Sequence, residues 1–371
     1  MNLKSEKDKK RILLICDEHS HIIKNYIELL SNNFVIYLYC SYKYKNQVSN
    51  SIKKKIKFFY FPQGLIYFFL ILKSFKYDYI FIITGPQEFN RIKGLIGIFG
   101  YLIFVFFYGK KTIMGIRDNN KYFRNNERNF IEKILNFSRN VSLTKIYCLF
   151  FETKTLMNNF KKKNNNKKIN CLPIYPLHIV NKKIKIYKLN SNVLRIGLLG
   201  SVDEKNIRRN YNMLVNVINL LDTSLQKKIE LVLLGWVQNG ENNTIIQNLK
   251  KKIKSEIICQ KNYIKDIEFK KLSLSCHILL SINKKKYGNS HKGTGAFFDA
   301  IFAKKPFITN LISDRQFEFK NFCYYYSNSS QLLEILKIFL KKNNKLKPFN
   351  KNTFTKYNNR QAKYELTKLL C

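Results

Sequence analysis

The stretch that decides the fold runs from Val193 to Leu214, VLRIGLLGSVDEKNIRRNYNML. Val193, Leu194, Ile196, Leu198 and Leu199 form a run that is apolar on both faces, broken only by Arg195 and Gly197. A strand reads this way when helices cover both sides of its sheet, the situation of a parallel sheet. Gly200 closes the run, polar residues follow, and an apolar helical periodicity starts at Tyr211. Strand, glycine turn and helix together are the repeating unit of a doubly wound α/β domain.

Read outward from there, the rhythm continues in both directions. Downstream, helices are expected at Tyr211–Leu221, Ile245–Ile253, Ile264–Ser273 and Ala296–Ala303, with strands at Ile229–Leu234, Ser255–Cys259, Cys276–Ile282 and Pro306–Thr309. A last helix is expected at Asn358–Leu370. Upstream, apolar runs at Arg11–Cys16, Phe34–Cys40, Tyr79–Thr84, Lys111–Ile116 and Tyr147–Phe151 are spaced by helical patterns. The pattern weakens past Cys171, and Leu177–Asn192 is a lysine-rich, glycine-free connector. The expected plan is therefore two doubly wound Rossmann-like α/β domains facing across a cleft. They occupy 1–176 and 192–345, joined by a linker at 177–191, with 346–371 packing back on the first domain. In such sheets ligands bind at the carboxyl ends of the strands, which puts the expected site between the two domains.

The chain has 371 residues, with 67 Lys+Arg against 24 Asp+Glu and a formal net charge of +43. At 45% hydrophobic and 15% aromatic residues it is too apolar for a disordered polycation. Of the basic residues 56 are Lys and only 11 Arg, accompanied by abundant Asn, Ile, Tyr and Phe. That combination reads as a coding bias that fills exposed positions with Lys and Asn. Nucleic-acid readers lean on Arg, and no zinc-finger spacing, aromatic stacking pair or helix-turn-helix is visible, so a nucleic-acid partner is not expected. Such a surface would still attract anionic lipid and nucleotide phosphates.

Eight cysteines are scattered without a C-x-x-C pair, as expected of buried thiols in a reducing cytosol. The start of the chain leads into a strand without a signal-peptide pattern. Phe58–Leu72 and Leu95–Tyr108 are apolar but shorter than the roughly 18–20 residues of a spanning helix. Each is expected to be a buried helix, with a membrane-interface surface beside basic residues as the alternative. The expected location is cytoplasmic, with peripheral attachment at the inner face of the membrane as an option.

The segment richest in chemistry is YGNSHKGTGAFFDAIFAKKPFIT, Tyr287–Thr309. A polar loop through His291, Lys292, Gly293, Thr294 and Gly295 leads into a helix. The glycines permit close backbone approach, and the amides of a helix start favour an anion. Asp299 lies one turn inside, where a carboxylate can accept from a ribose diol.

Here the chain resembles the carboxy-terminal domain of the group 1 nucleotide-sugar glycosyltransferases of the GT-B fold. Their signature is an acid, a glycine-rich turn, a second acid eight positions later, a helix of small residues and G-x-P. Asp299 matches the second acid, and DAIFAKKPFIT the helix, stop and strand that follow; His291 stands where the first acid belongs. The resemblance implies that Gly200 forms the turn after the first strand and that Arg209, with Arg208 beside it, neutralises the donor diphosphate. It further implies a donor site made of Gly200, Arg208, Arg209, His291, Lys292, Gly293, Thr294, Gly295 and Asp299. It covers about 192–310 by motif and the rest by architecture.

In the first domain, CDEHSHIIKNY places His19 and His21 after the first strand, and GIRDNNKYF places Arg117 and Asp118 after another. His19, His21 and Asp118 are candidates for a base or hydrogen-bond donor near the acceptor hydroxyl. Arg117 is a candidate phosphate or acceptor contact, and Glu88 in TGPQEF a weaker one. The expected activity is glycosyl transfer from a nucleotide-diphosphate sugar to a hydroxyl of a glycan or lipid-linked acceptor, in cell-surface polysaccharide synthesis. No cofactor or metal is expected; retention is the outcome the resemblance implies. A GT-B-shaped epimerase, or a degenerate scaffold that binds membrane or a partner, are the alternatives.

Overall fold

Thirteen described strands form two wholly parallel sheets. The computed structural model describes residues 9–16, 23–31, 33–41, 57–61, 66–84, 92–119, 130–164, 169–175, 192–205, 208–260, 264–284, 295–341, 357 and 360–370. The first sheet contains β1 (Lys10–Cys16), β2 (Phe34–Ser41), β3 (Lys57–Phe61), β4 (Tyr79–Ile82), β5 (Thr112–Ile116), β6 (Cys148–Phe151) and β7 (Asn170–Pro173), in the order β3-β2-β1-β4-β5-β6-β7. The second contains β8 (Leu194–Leu199), β9 (Ile229–Leu234), β10 (Glu256–Ile258), β11 (Ile278–Leu280), β12 (Phe307–Asn310) and β13 (Cys323–Tyr326), in the order β10-β9-β8-β11-β12-β13. Each order reverses once, between β1 and β4 in the first sheet and between β8 and β11 in the second. That reversal opens a crevice at the carboxyl ends of the strands.

In the first unit the helices are α1 (Ile23–Leu30), α2 (Ile66–Lys73), α3 (Ile92–Tyr108), α4 (Phe130–Lys145) and α5 (Lys154–Lys163). In the second they are α6 (Tyr211–Asn219), α7 (Thr223–Gln226), α8 (Thr244–Lys252), α9 (Asp266–Leu274), α10 (Ala296–Ala303) and α11 (Ser329–Lys341). The final helix α12 (Arg360–Leu370) belongs to the first unit. Its Leu366 and Leu370 pack with α1 and one face of the first sheet. Its carboxyl end is tied by Lys10 Nζ donating to Leu370 O (2.7 Å) and Tyr147 Oη donating to Leu369 O (2.9 Å). The opposite face of that sheet is covered by α2, α3, α4 and α5. The linker expected at 177–191 lies outside the described residues.

The strands are alternating layers of core: β5 and β6 are buried along their whole length, and β1 from Ile12 onward. Side chains therefore point into packed helices on both faces, which is why these runs lack polar alternation. One expectation is corrected. Phe58–Leu72 is not a single helix: Lys57–Phe61 is the edge strand β3, paired with β2, and α2 begins only at Ile66. Pro62 lacks the amide a helix interior needs, and edge strands tolerate aromatic runs such as KFFYF. Leu95–Tyr108 does fall in one helix, α3, but much of its outward face is exposed. Two further strands escaped the sequence reading, β7 (NCLP) and β13 (CYYY), both only four residues long and both at sheet edges.

Candidate functional site

The second unit builds its site at the reversal of its sheet, from the ends of β8 and β11. Leu199 ends β8, and Gly200 then adopts φ +106°, a region open to glycine and rarely to other residues. The turn is tight on its neighbour too: a Cβ on Gly235, after β9, would stand 2.5 Å from the Gly200 carbonyl. A Cβ on Gly200 itself would fall on Nη2 of Arg209, so the guanidinium occupies the space the glycine leaves. Arg209 Nε donates to the Leu199 carbonyl (3.0 Å), which fixes the side chain across the end of β8.

The backbone around Arg209 is held with equal care. Arg209 pairs antiparallel with Asn283, just past β11, while Asn210 N donates to Ile282 O (2.7 Å) and Lys284 N to Arg208 O (3.0 Å). Asn210 then caps α6, its side chain accepting from Met213 N (3.3 Å). The segment Arg208–Asn210 thus ties one arginine to the ends of the two central strands. Arg209 is desolvated, and burial, with the Arg208 charge second among the effects lowering it, makes its cationic form less favourable than in water. No carboxylate among the described residues forms an ion pair with it. A guanidinium does not lose its proton under these conditions, so the site holds a half-buried positive charge suited to an anion.

Next to this clamp in the sheet, β11 leads through 285–294 to α10. His291, Lys292, Gly293 and Thr294 lie outside the described residues. Gly295 is described and precedes α10 with helical dihedrals, φ −63° and ψ −20°, and a Cβ there would meet nothing within 4 Å. Neither backbone strain nor packing among the described residues demands a glycine at this position. Asp299 lies in the first turn of α10, half-buried, its amide bonded to Gly295 O (3.0 Å). Gly200, Arg208, Arg209, Gly295 and Asp299 therefore all stand at the carboxyl edge of the second sheet. At the other end of α10, Lys304 takes the left-handed conformation, φ 55°, where the resembled family carries the glycine of G-x-P.

In the first unit His19, His21 and Glu88 lie outside the described residues. Asp118 is buried just past β5. Arg117 does not reach outward toward a phosphate: its Nε lies 2.5 Å from Oε1 of Glu152, the residue after β6. Glu152 is buried, and its Oε2 and Arg117 Nη1 have no hydrogen-bond partner among the described residues. Asn119, fully buried, donates to Leu156 O (2.8 Å) at the start of α5. This polar cluster at the carboxyl edge of the first sheet was only half visible in the sequence. Glu152 follows the apolar run CLFF, and an acid closing a buried strand was the signal that could have found it. Among the described residues no group of three or more His, Cys, Asp or Glu could hold a metal ion, and no helix is long and apolar enough to cross a membrane.

No family model and no curated protein sequence matches the chain. Solved structures do. An α-glucosyltransferase in complex with UDP and a 13-mer DNA containing an HMU base shares 10% identity over 98% of this chain and 99% of its own, with a TM-score of 0.61. WaaG, a glycosyltransferase involved in lipopolysaccharide biosynthesis, shares 12% over 96% and 97%, with a TM-score of 0.58. The glycotransferase of kitacinnamycin shares 8% over 98% and 100%, with a TM-score of 0.56. At identities this low the common property is the fold, carried over nearly the full length of both chains. The protein has the two-domain α/β architecture of the GT-B glycosyltransferases.

Proposed function

We propose that the protein is a glycosyltransferase that moves a sugar from a nucleotide-diphosphate donor to a hydroxyl. The observation that carries this reading is the clamped Arg209: a desolvated cation, with no acid among the described residues to neutralise it, at the strand-order reversal where such sheets bind ligands. A diphosphate there gains charge-assisted hydrogen bonds and develops more charge as the glycosyl bond breaks, so the site favours the transition state over the bound donor. Arg208, the loop 291–294 and the start of α10 would complete the anion site, and Asp299 would accept from the ribose. In the first unit Asp118, with His19 and His21, would serve the acceptor hydroxyl, and the buried Arg117–Glu152 pair would hold that edge rigid. The group 1 resemblance supports a retaining outcome and no metal.

For the acceptor, a glycan or lipid-linked precursor of cell-surface polysaccharide, met in the cytoplasm at the inner face of the membrane, suits the basic surface. The similar α-glucosyltransferase bound to DNA, together with the +43 charge, gives a second reading in which DNA carries the acceptor hydroxyl. A thermal-shift screen across UDP-, GDP-, ADP- and dTDP-sugars tests the donor first, since a ligand that binds only the folded state raises its melting temperature. One nucleotide sugar should stabilise the wild type and fail to stabilise Arg209→Ala and Asp299→Ala. If none binds, the enzyme reading falls in favour of a scaffold. If binding survives both substitutions, the site is misplaced. Product analysis then separates transfer from epimerisation, and duplex DNA from lipid-linked acceptors.

A further inference from the structure

A helix that covers a sheet turns an apolar stripe inward and presents polar residues to water. α2 and α3 break this rule. Tyr67 and Leu70 of α2 and Tyr101, Phe104 and Val105 of α3 fill the core beneath. Yet Leu72 on α2 is 74% exposed, Phe75 in the turn after it 66%, and Phe106 and Phe107 on α3 66% each. Phe69 and Phe99 add two more exposed rings. The helices are locked side by side: the Phe68 ring lies against Gly100, Tyr67 packs edge-on to Tyr101 at 5.0 Å, and Tyr108 Oη donates to Ile71 O (2.7 Å). α4 packs against the other flank of α3 and contributes exposed Phe130 and Phe137. Exposed rings therefore stand on three neighbouring helices.

The charge around this surface is mostly of one sign, with Glu132 near the start of α4 the exception on these three helices. Neither α2 nor α3 contains an acidic residue. Lys73 and Lys76 end the α2 segment, Lys110 follows α3, and Lys145 ends α4 with its Nζ 5.5 Å above the Phe106 ring. Coding bias does not account for the pattern. Where it acts on solvated helix ends in this chain it deposits lysines, as in Lys161–Lys163 of α5 and Lys250–Lys252 of α8. On α2 and α3 the outward positions hold Phe and Leu instead.

We propose that the outward face of α2, α3 and α4 docks on an anionic phospholipid bilayer, its rings entering the interfacial layer and its lysines meeting the headgroup phosphates. A second copy of the chain fits poorly, because a twofold contact would set the lysine rim against itself in a chain of net charge +43. A nucleic-acid backbone fits poorly too, since it would meet a wall of phenyl rings where it needs donors. The inference is independent of the donor site and of the reaction proposed for it.

Flotation of the full-length protein with vesicles of phosphatidylcholine, with and without phosphatidylglycerol, at low and high salt, tests the assignment. The wild type should float with the anionic vesicles and keep part of that binding at high salt. Combined Leu72→Asp, Phe106→Asp and Phe107→Asp should weaken binding at least about tenfold. The melting temperature should stay unchanged, because these side chains already face water. Leu220→Asp, at an equally exposed leucine of the second unit, should leave binding intact. Lys73→Gln, Lys76→Gln and Lys110→Gln together, which leave the apolar face whole, should weaken low-salt binding. A wild type that stays with the pellet, or a triple aspartate variant that floats normally, overturns the proposal. So does a dimer in sedimentation velocity that the aspartates dissociate, or duplex DNA binding that they weaken equally.

Discussion

Replacing Gly200 by alanine tests the clamp at its most constrained atom. The backbone at φ +106° lies outside the range L-residues occupy readily, so a side chain there costs about 1–3 kcal/mol. The steric part acts differently, because the new methyl falls on the guanidinium of Arg209, the movable end of a flexible side chain. The cheaper response is for Arg209 to leave, which breaks its bond to Leu199 O and removes the cation from the end of β8. A charge-assisted contact to phosphate contributes about 1.5–3 kcal/mol, or roughly 10- to 150-fold in donor affinity. Gly200→Ala should therefore lose nearly as much nucleotide-sugar affinity as Arg209→Ala, although residue 200 contributes no charge. Isothermal titration with the donor found by thermal shift gives the four corners of a double-mutant cycle. The two losses should not add: the double variant should bind about as weakly as Arg209→Ala, a coupling of at least about 1 kcal/mol. Urea unfolding measures the backbone cost separately. Wild-type affinity in Gly200→Ala, with the expected loss of stability, would refute the clamp as the donor's anchor.

Four further substitutions probe the second unit. His277 is buried with its Nδ1 accepting from Arg195 N (2.9 Å), and burial, then the charges of Lys305 and Arg195, lower its pKa to about 4. The unfolded chain then binds a proton first as pH falls below the ordinary 6.5. The protein should be fully stabilised above that value and lose roughly 2 kcal/mol between it and pH 4, a slope that His277→Gln should flatten in urea titrations at several pH values. Asp314 is buried and accepts from Glu318 N, Phe319 N and Tyr325 Oη at 2.9, 2.9 and 2.5 Å, so Asp314→Ala should cost about 3 kcal/mol in the same assay, with Tyr325→Phe costing less. Lys304→Gly should stabilise by about 0.5–1 kcal/mol, because φ 55° penalises a side chain that glycine lacks, and a calorimetric melting temperature no higher than wild type would count against it.

The parts of the fold that sequence exposes are those where one physical demand dominates. β1, β8 and β9 are buried on both faces and read as strands at once, and α6 and α8 show their periodicity between clear caps. Gly200 and the two arginines stood out because a glycine ends an apolar run and because arginine is scarce in this chain. What stayed hidden depends on partners that are distant along the chain. KFFYF reads equally as helix or strand until β2 is present beside it, and CYYY becomes β13 only through its pairing with β12. The inward turn of Arg117 requires Glu152, thirty-five residues away and just past another strand. The sequence displayed Arg117 beside a carboxylate of its own loop, and which acid it pairs with emerges only when β6 lies beside β5.

The contrast between Lys304 and Gly200 shows where a lysine-rich coding bias is resisted. Both positions have positive φ, the region that glycine adopts most readily. At Lys304 the left-handed residue only stops a helix, so a side chain that projects into water costs a fraction of total stability and can be tolerated. At Gly200 the same replacement would strike the guanidinium that the turn exists to hold. Gly295 tests this logic from the other side. Its dihedrals suit any residue and no atom of the described residues lies within 4 Å of the missing Cβ. If only folding acted there, Gly295→Ala would be neutral or slightly stabilising and donor binding would be untouched. If the donor backs against the loop, the same methyl would leave the melting temperature of the free protein unchanged or raised while weakening nucleotide-sugar affinity. A variant that is more stable and binds less would place the donor against residue 295, and one that binds equally well would move it away.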